Sequence, residues 1–402
     1  MRSGVALLGV LLALAACSAD GPAVAHSSPS APASPSPSPS PSPLPSPSPT
    51  PTPSAPATPL VVPSWATLRA DCTRPLAAAE AVVAVQGQKT LIVADVTNAL
   101  TPVNLCTLTG NSTLKPQLVT QSMISWSATQ NGPGTPGQSL IAVADLSTGT
   151  STVVTSWQGG GYLDGLHAWS PDRGFIAYLT SDSSAMSLHL FSGGGDRVVA
   201  SMGAAATRAP NPNEDAAYLA FSPDGAYFAL DETFSTSGDQ IQVFRTQDGS
   251  AAYTLHTGTM ATWGSTGSSL YFRHAGSGVI DVWNSAGGVK QAFAQQVAWI
   301  LPSADAGDDN LAFTARDSTG MPSVWLYGHG GRSGGKLQNP RSGAAWLNST
   351  AVLYLEEAKC TGLCQIAWQP DGKTFTFDTA TQAETASKIS RVYSVWPRPG
   401  QT

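Results

Sequence analysis

The sequence predicts an all-β domain built from repeated four-stranded units. A large aromatic residue recurs at gaps of 36 to 52 residues, and short runs of alternating apolar and polar residues follow it. The recurring residues are Trp126, Trp169, Phe221, Trp263, Trp299, Trp346 and Trp396. Four antiparallel strands in about 45 residues are typical of one blade of a β-propeller. The predicted fold class is therefore an all-β propeller.

Two units show the pattern most clearly. Trp169 is followed by Ser-Pro-Asp and then by the apolar run 175–178, and Phe221 is followed by Ser-Pro-Asp-Gly and then by the run 227–230. Proline fixes φ in a tight turn, and aspartate and glycine allow the bend. Each segment thus predicts a strand, a tight turn and a second strand, and the runs 188–191 and 241–244 predict the third strands.

These turns carry a family resemblance. The Trp-Ser-Pro-Asp turn and the Ile-Ala-Tyr strand after it resemble the TolB-like (PD40, WD40-related) propeller repeat. The resemblance covers most of residues 75–397 and is strongest at Trp169 and Phe221, whereas the turns after Trp263 and Trp346 lack Pro-Asp. It implies a propeller that interacts with other proteins.

The spacing predicts seven four-stranded blades, and six or eight remain open. Six units begin near residues 118, 166, 218, 260, 296 and 343. Three further strands precede them, at 82–85, 90–94 and 103–105, and the run 391–396 can supply the missing fourth. Such a closure joins both chain ends in one blade and removes open sheet edges. We expect the aromatic anchors to pack between blades, with sugar stacking as the alternative.

The N-terminus predicts export and anchoring. Arg2 precedes an apolar run of about twelve residues, too short for a membrane span and typical of a signal peptide. The ending Leu-Ala-Ala-Cys resembles the lipobox of bacterial lipoproteins, which implies a signal peptide at 1–16 and a diacylated Cys17 facing outside the cell membrane. The alternative is an ordinary secretory signal in which Cys17 is incidental.

Residues 17–64 predict a disordered tether between the lipid anchor and the domain at 65–402. Sixteen of the 31 prolines lie in residues 21–64, which contain no Asp, Glu, Lys or Arg. Such a segment cannot form a core and favours polyproline II, about 3.1 Å per residue. A proline-rich recognition motif is the alternative. The net charge of −6 argues against nucleic acid as a partner, and we expect a monomer.

Four cysteines remain beyond Cys17, an even number that favours disulfides in an exported domain. Three connectivities are open, and we favour the local pairs Cys72–Cys106 and Cys360–Cys364. Zinc is the alternative for the second pair, but no further cysteine or histidine lies nearby.

Motifs for catalysis are weak, so no catalytic residue, cofactor or metal is predicted. The stretch Gly331–Gly335 matches a nucleophile elbow and part of a phosphate loop, but a blade turn explains it better. Residues 305–310 offer oxygen ligands for calcium without the EF-hand spacing. The six histidines show no metal-binding spacing.

Loops between second and third strands carry charges that could meet at one face of the propeller. They are Asp231, Glu232, Asp239, Arg273, His274, Arg316, Asp317, Glu356 and Glu357. A polar binding surface is one interpretation and a solvated surface the other. The leading functional hypothesis is a membrane-anchored scaffold that binds an envelope protein or a cell-wall glycan. The alternative is an extracytoplasmic hydrolase or lyase whose site is assembled at the channel mouth.

Overall fold

The computed structural model describes residues 60–74, 76, 78–87, 90–110, 116–132, 135–159, 165–181, 185–203, 219–232, 240–265, 267, 269–293, 297–304, 311–316, 322–327, 333–336, 341–356 and 373–396. Cys17, Asp239, Asp317, Glu357, Cys360 and Cys364 lie outside them. The contacts between residues group Thr58–Thr402 into one compact unit. Among the described residues, no helix has the length and apolar character that crossing a bilayer requires.

The described chain is a β-propeller with six four-stranded blades. Blade 1 contains Gln117–Leu118 (β5), Met123–Gly132 (β6), Thr135–Asp145 (β7) and Thr150–Gln158 (β8). Blade 2 contains His167–Trp169 (β9), Phe175–Ser181 (β10), Ala185–Ser192 (β11) and Gly195–Gly203 (β12). Blade 3 contains Leu219–Phe221 (β13), Tyr227–Asp231 (β14), Ile241–Arg245 (β15) and Ala251–Leu255 (β16).

The remaining three blades follow the same plan. Blade 4 contains Gly258–Trp263 (β17), Ser269–His274 (β18), Ile280–Asn284 (β19) and Gly288–Phe293 (β20). Blade 5 contains Val297–Ala304 (β21), Leu311–Arg316 (β22), Pro322–Tyr327 (β23) and Ser333–Lys336 (β24). Blade 6 contains Arg341–Trp346 (β25), Ala351–Glu356 (β26), Thr374–Asp378 (β27) and Glu384–Ala386 (β28). All six blades begin within a few residues of the predicted positions.

A five-stranded sheet, called the closing sheet, joins the two ends of the domain. It contains Leu68–Cys72 (β1), Ala81–Gln86 (β2), Thr90–Asp95 (β3), Val103–Gly110 (β4) and Ile389–Trp396 (β29), in the order β1-β4-β3-β2-β29. The pairing of β2 with β29 confirms the predicted use of the C-terminal strand. The outermost strand β1 was not predicted. Its end is covalently tied, because Cys72 lies directly opposite Cys106 of β4 and forms a disulfide with it.

The closing sheet packs against blade 6 on one side and blade 1 on the other. Apolar residues of β2 and β3 form one core layer with residues of blade 6 and another with residues of blade 1. The side-chain amide of Asn348 also donates to the Val96 carbonyl, at 2.6 Å. The sheets therefore form a continuous ring.

The aromatic anchors fill the layers between blades, as predicted. Trp263 of blade 4 packs against Ala229 and Val243 of blade 3, and its indole N–H donates to the Ala220 carbonyl at 3.0 Å. Trp346 of blade 6 packs against apolar residues of blade 5. The side chain of Trp299 lies outside the described residues. A large ring between two sheets contributes much of the apolar area that each layer buries.

The N-terminal segment follows the outside of this ring. The Leu60 carbonyl accepts a hydrogen bond from the Val153 amide at 3.0 Å, and Val62 is buried. A short 3₁₀ helix, Ser64–Ala66, ends where the Ala66 carbonyl accepts from the Trp126 indole at 2.8 Å. Residues 60–64, which the sequence assigned to the tether, therefore lie along blade 1, with Leu60 and Val61 exposed and Val62 buried.

Successive strands in every blade run antiparallel, so connections alternate between two faces of the ring. The connecting face carries the blade-to-blade connections and the loops between second and third strands. The turn face carries the other turns, including the Ser-Pro-Asp turns after Trp169 and Phe221.

Candidate functional site

The predicted binding residues stand at the ends of second strands, on the connecting face. Asp231 and Glu232 end or follow β14, Arg273 and His274 end β18, Arg316 ends β22, and Glu356 ends β26. For Arg316 and Glu356 the structure describes the backbone alone. The topology thus brings residues from blades 3 to 6 to one face, and the structure gives the side-chain contacts of those in blades 3 and 4.

Asp231 connects blade 3 to blade 4. Its buried carboxylate accepts the backbone amide of Met260 at 2.6 Å and that of Ala261 at 3.4 Å. A bulge between Thr259 and Thr262 takes these amides out of the ladder, and Met260 adopts a left-handed φ of 56°. Because buried amides need acceptors, Asp231 supplies what the bulge removes.

Glu232 is also buried and is held by its own blade. Its carboxylate accepts the side-chain amide of Gln240 at 2.7 Å and that of Gln242. Burial raises the pKa of Glu232, and the two amide donors oppose that rise. The Glu232 amide donates to the Gln240 carbonyl at 2.8 Å, so the base of this loop is fixed. Both acidic residues therefore serve as framework for the connecting face.

His274 lies at the junction of blades 3 and 4. Its Nε2 is 3.1 Å from the Thr257 hydroxyl in the connection between the blades, and its Nδ1 accepts the Ser277 amide at 3.4 Å. Asp281 is buried on the neighbouring strand, where burial raises the pKa of its carboxyl and attraction to His274 opposes that rise. Arg273, one residue earlier, pairs with Ile280 across the ladder.

Sequence reasoning missed a second polar connection, between blades 1 and 2. His167 is fully buried, with Nε2 2.9 Å from the Ser125 hydroxyl and Nδ1 2.8 Å from the Gly165 carbonyl. The Trp169 indole donates to the same hydroxyl at 3.0 Å. Such a satisfied buried network favours one arrangement of the two blades. No signal in the sequence links Ser125 to His167, 42 residues away.

The sequence also missed a polar cluster on the face of blade 2 that packs toward blade 1, where Tyr178 is buried. Asp196 Oδ2 lies 3.0 Å from Nδ1 of His189 and accepts the Tyr178 hydroxyl at 2.8 Å. His189 Nε2 lies 3.1 Å from the Thr180 hydroxyl. The Tyr178 ring stacks on the imidazole with ring centres 4.8 Å apart. The alternation of β10 and β11 predicts strands, but only the register shows that these four side chains meet.

The weaker motifs have different outcomes. Ser333 to Gly335 of the glycine-rich stretch lie in β24, the outermost strand of blade 5, rather than in a turn. Residues 305–310 lie outside the described residues. Within the described part of the chain, no group of three or more His, Cys, Asp or Glu residues is placed to hold a metal ion.

Comparisons with known proteins give the fold and no family. No protein-family model and no curated protein matches the chain. A prolyl endopeptidase structure matches with a TM-score of 0.51 and 12% identity, over 81% of this chain and 50% of that one. Prolyl oligopeptidase B from Galerina marginata matches with a TM-score of 0.50 and 9% identity, over 82% and 51%.

TolB from Acinetobacter baumannii matches with a TM-score of 0.42 and 17% identity, over 79% of this chain and 66% of that one. The chain spans about half the length of the two peptidases. At these identities a likeness establishes architecture and not chemistry. The chain is therefore similar to known β-propellers in fold.

Proposed function

We propose that this protein is a lipid-anchored, extracytoplasmic propeller that binds an envelope protein or a cell-wall glycan through its connecting face. The observation that carries the proposal is the framework beneath that face. Asp231 and Glu232 each accept hydrogen bonds from amides of the protein itself, so they fix the strand ends from which the loops emerge. A rigid base that presents loops is how many scaffolds position binding residues.

We further propose that the closing sheet acts as a seventh blade. Its strands β29, β2, β3 and β4 repeat the order of a four-stranded blade, with β29 innermost, and β1 is an addition at the outer edge. A ring closed by both chain ends resists opening, because separating the ends must break the β2–β29 ladder.

The proposed anchor places this ring on the outer side of the cell membrane. In the proposal Cys17 is diacylated, and two acyl chains give stable anchoring where one is marginal. The 39 residues 21–59, at about 3.1 Å each, would reach on the order of 120 Å when extended. This length suits a protein that meets its partner away from the lipid surface.

Two experiments test the lipid anchor and the connecting face separately. Replacing Cys17 with Ala is expected to move the protein from the membrane fraction to the medium, and retention in the membrane would contradict the anchor.

For the face, a photo-crosslinking amino acid is placed at Ser277 on the connecting face or at Ala286 on the turn face of the same blade. Both positions are exposed. On intact cells we expect a discrete adduct, to one protein or to glycan, from position 277 and none from 286. Equal capture at both positions, or none at either, would contradict the proposal.

A further inference from the structure

In three of the described histidines, Nε2 of the imidazole lies within hydrogen-bond distance of a hydroxyl group. The three differ in the group that contacts the other ring nitrogen, Nδ1. His167 holds Ser125 and a backbone carbonyl, and His274 holds Thr257 and a backbone amide. At His189, by contrast, Nδ1 contacts the carboxylate of Asp196. A hydroxyl, an imidazole and a carboxylate in that order form the relay that activates nucleophilic hydroxyls in hydrolases.

The relay runs diagonally across three strands of blade 2. Thr180 lies near the end of β10, His189 is in the middle of β11 opposite Tyr178, and Asp196 lies near the start of β12 opposite Phe191. The two contacts, 3.1 Å from Thr180 Oγ1 to Nε2 and 3.0 Å from Nδ1 to Asp196, are within hydrogen-bond reach. Three paired strands hold these residues, with a β-bulge between Leu188 and His189, so the sheet backbone positions the arrangement before any substrate binds.

Solvent reaches this relay. The side chain of His189 is 15% exposed and that of Asp196 is 36% exposed, and Thr180 is half-buried. In the Ser125–His167 pair both residues are fully buried, which leaves no room for a substrate. Among the three described histidines that contact a hydroxyl, His189 alone combines a carboxylate at Nδ1 with partial exposure of the side chains.

Tyr178 fixes the orientation of the relay. Its ring stacks on the imidazole, and its hydroxyl donates to the same Asp196 oxygen that faces Nδ1. Burial raises the pKa of Tyr178 far above its ordinary value, so the phenol remains a donor at all physiological pH values. Asp196 therefore keeps an acceptor position toward Nδ1, which leaves Nε2 as the base that faces Thr180.

We propose that Thr180 is a nucleophile that accepts acyl groups from esters, with His189 as general base and Asp196 as a positioning residue. Thr180 Oγ1 attacks the ester carbonyl carbon while its proton passes to His189 Nε2. The ester C–O bond then breaks, and the departing alcohol takes that proton. Water cleaves the acyl-threonine by the same route, which releases the carboxylic acid and restores the hydroxyl.

The expected substrates are activated esters rather than peptides. The proposal assigns a nucleophile, a base and a positioning residue but no oxyanion-hole donor, so it predicts reaction only with esters that carry a good leaving group. Losing one donor of such a hole typically lowers kcat by about 10²–10³. The activity goes beyond the proposed scaffold role and does not depend on it.

The test uses a fluorophosphonate, which phosphonylates activated hydroxyls with loss of fluoride. In the purified, folded protein we expect a mass increase on the peptide that contains Thr180, located by tandem mass spectrometry. Thr180→Ala should abolish it, Thr180→Ser should retain it, and His189→Gln should slow it about 100-fold. Asp196→Asn should slow it and shift its pH profile. The matched control is Thr257→Ala, which removes the corresponding hydroxyl from the His274 pair and should leave labelling unchanged.

Hydrolysis of p-nitrophenyl acetate should follow the same order among the variants. Unlabelled Thr180 in the wild-type protein would overturn the proposal without any variant being needed. Equal labelling of Thr257 would also overturn it, because exposure alone would then explain the reaction. Loss of labelling in a variant counts only where its circular dichroism and melting temperature match those of the wild type.

Discussion

Blade 3 and the closing sheet are built in opposite ways. Blade 3 comes from one continuous stretch, and its first turn is held locally, because the Ser222 hydroxyl donates to Asp224 at 2.6 Å and accepts the Tyr227 amide at 3.0 Å. The closing sheet pairs Val82 with Val395, more than 300 residues apart, and adds a disulfide. Local turns can form early, whereas the closure requires the rest of the ring to be in place.

This contrast predicts which parts of the fold are most sensitive to substitution or truncation. A defect in one turn of blade 3 affects neighbouring residues alone, because the strands on either side keep their ladders. A defect in the closing sheet exposes strand edges and two core layers together. The variants below measure this contrast.

Removing residues 389–402 should have the largest effect. The deletion takes β29 away, leaves an edge of β2 unpaired, and exposes the apolar layers toward blade 1 and blade 6. We expect loss of a cooperative thermal transition, or strong aggregation, by calorimetry and light scattering. Removing only residues 397–402 is the control and should leave the transition intact. If both truncations melt alike, β29 does not close the ring.

Replacing both Cys72 and Cys106 with Ser should have the next largest effect. The disulfide spans a sequence separation of 34 and ties the exposed strand β1 to β4. Loop entropy predicts a loss of about 3–4 kcal/mol in the free energy of unfolding, measured with urea. The wild-type protein with a reductant should show a similar loss. An unchanged midpoint in both cases would mean that the disulfide does not stabilise the folded domain.

The two Ser-Pro-Asp turns offer a smaller, matched comparison. Gly225 has φ 69° and Arg173 occupies the same turn position in blade 2 with φ 65°. A Cβ at Gly225 would meet nothing closer than 3.6 Å, so only the left-handed backbone opposes a side chain there. We expect Gly225→Ala to cost about 1 kcal/mol and Arg173→Gly to stabilise by a smaller amount. If both substitutions change the free energy of unfolding in the same direction, the left-handed φ does not determine the stability of these turns.

Glu232→Gln should change the melting temperature least, and the direction of the change is defined by the pKa of Glu232. Burial raises the folded-state pKa of Glu232 above its unfolded-state value, so ionising this carboxyl costs more free energy in the folded protein than in the unfolded one. The penalty appears as pH rises through the folded-state pKa. The variant should therefore match the wild type in acid and exceed its melting temperature at neutral pH. If the difference in melting temperature between variant and wild type instead grows as the pH falls, the pKa of Glu232 is not raised by folding.

The sequence predicted the repeating parts of the fold because they are local. The Ser-Pro-Asp turns, the aromatic anchors and the alternating strands lie within single blades. Among three possible connectivities the sequence favours the local pair Cys72–Cys106, which the structure confirms. The sequence did not predict β1, since its run Leu68–Cys72 carries charges and is mostly exposed.

The candidate sites were harder to predict, for a physical reason. Asp231 and Glu232 are charged residues next to a loop, which predicts exposure to solvent. In the structure both are buried: Asp231 accepts an amide that the bulge at Met260 removes from the ladder, and Glu232 accepts the side-chain amides of two glutamines. The relay depends on strand register, which places residues 180, 189 and 196 beside one another although no periodicity links them.

The most direct test of ring closure by the terminal strand is a disulfide between β2 and β29. Val82 and Val395 lie directly opposite each other, and both pack in the layer toward blade 6. In the double variant Val82→Cys with Val395→Cys, peptide mapping of the oxidised monomer should identify a bond between these two positions. Free thiols at both positions, or a bond found only between molecules, would contradict the account.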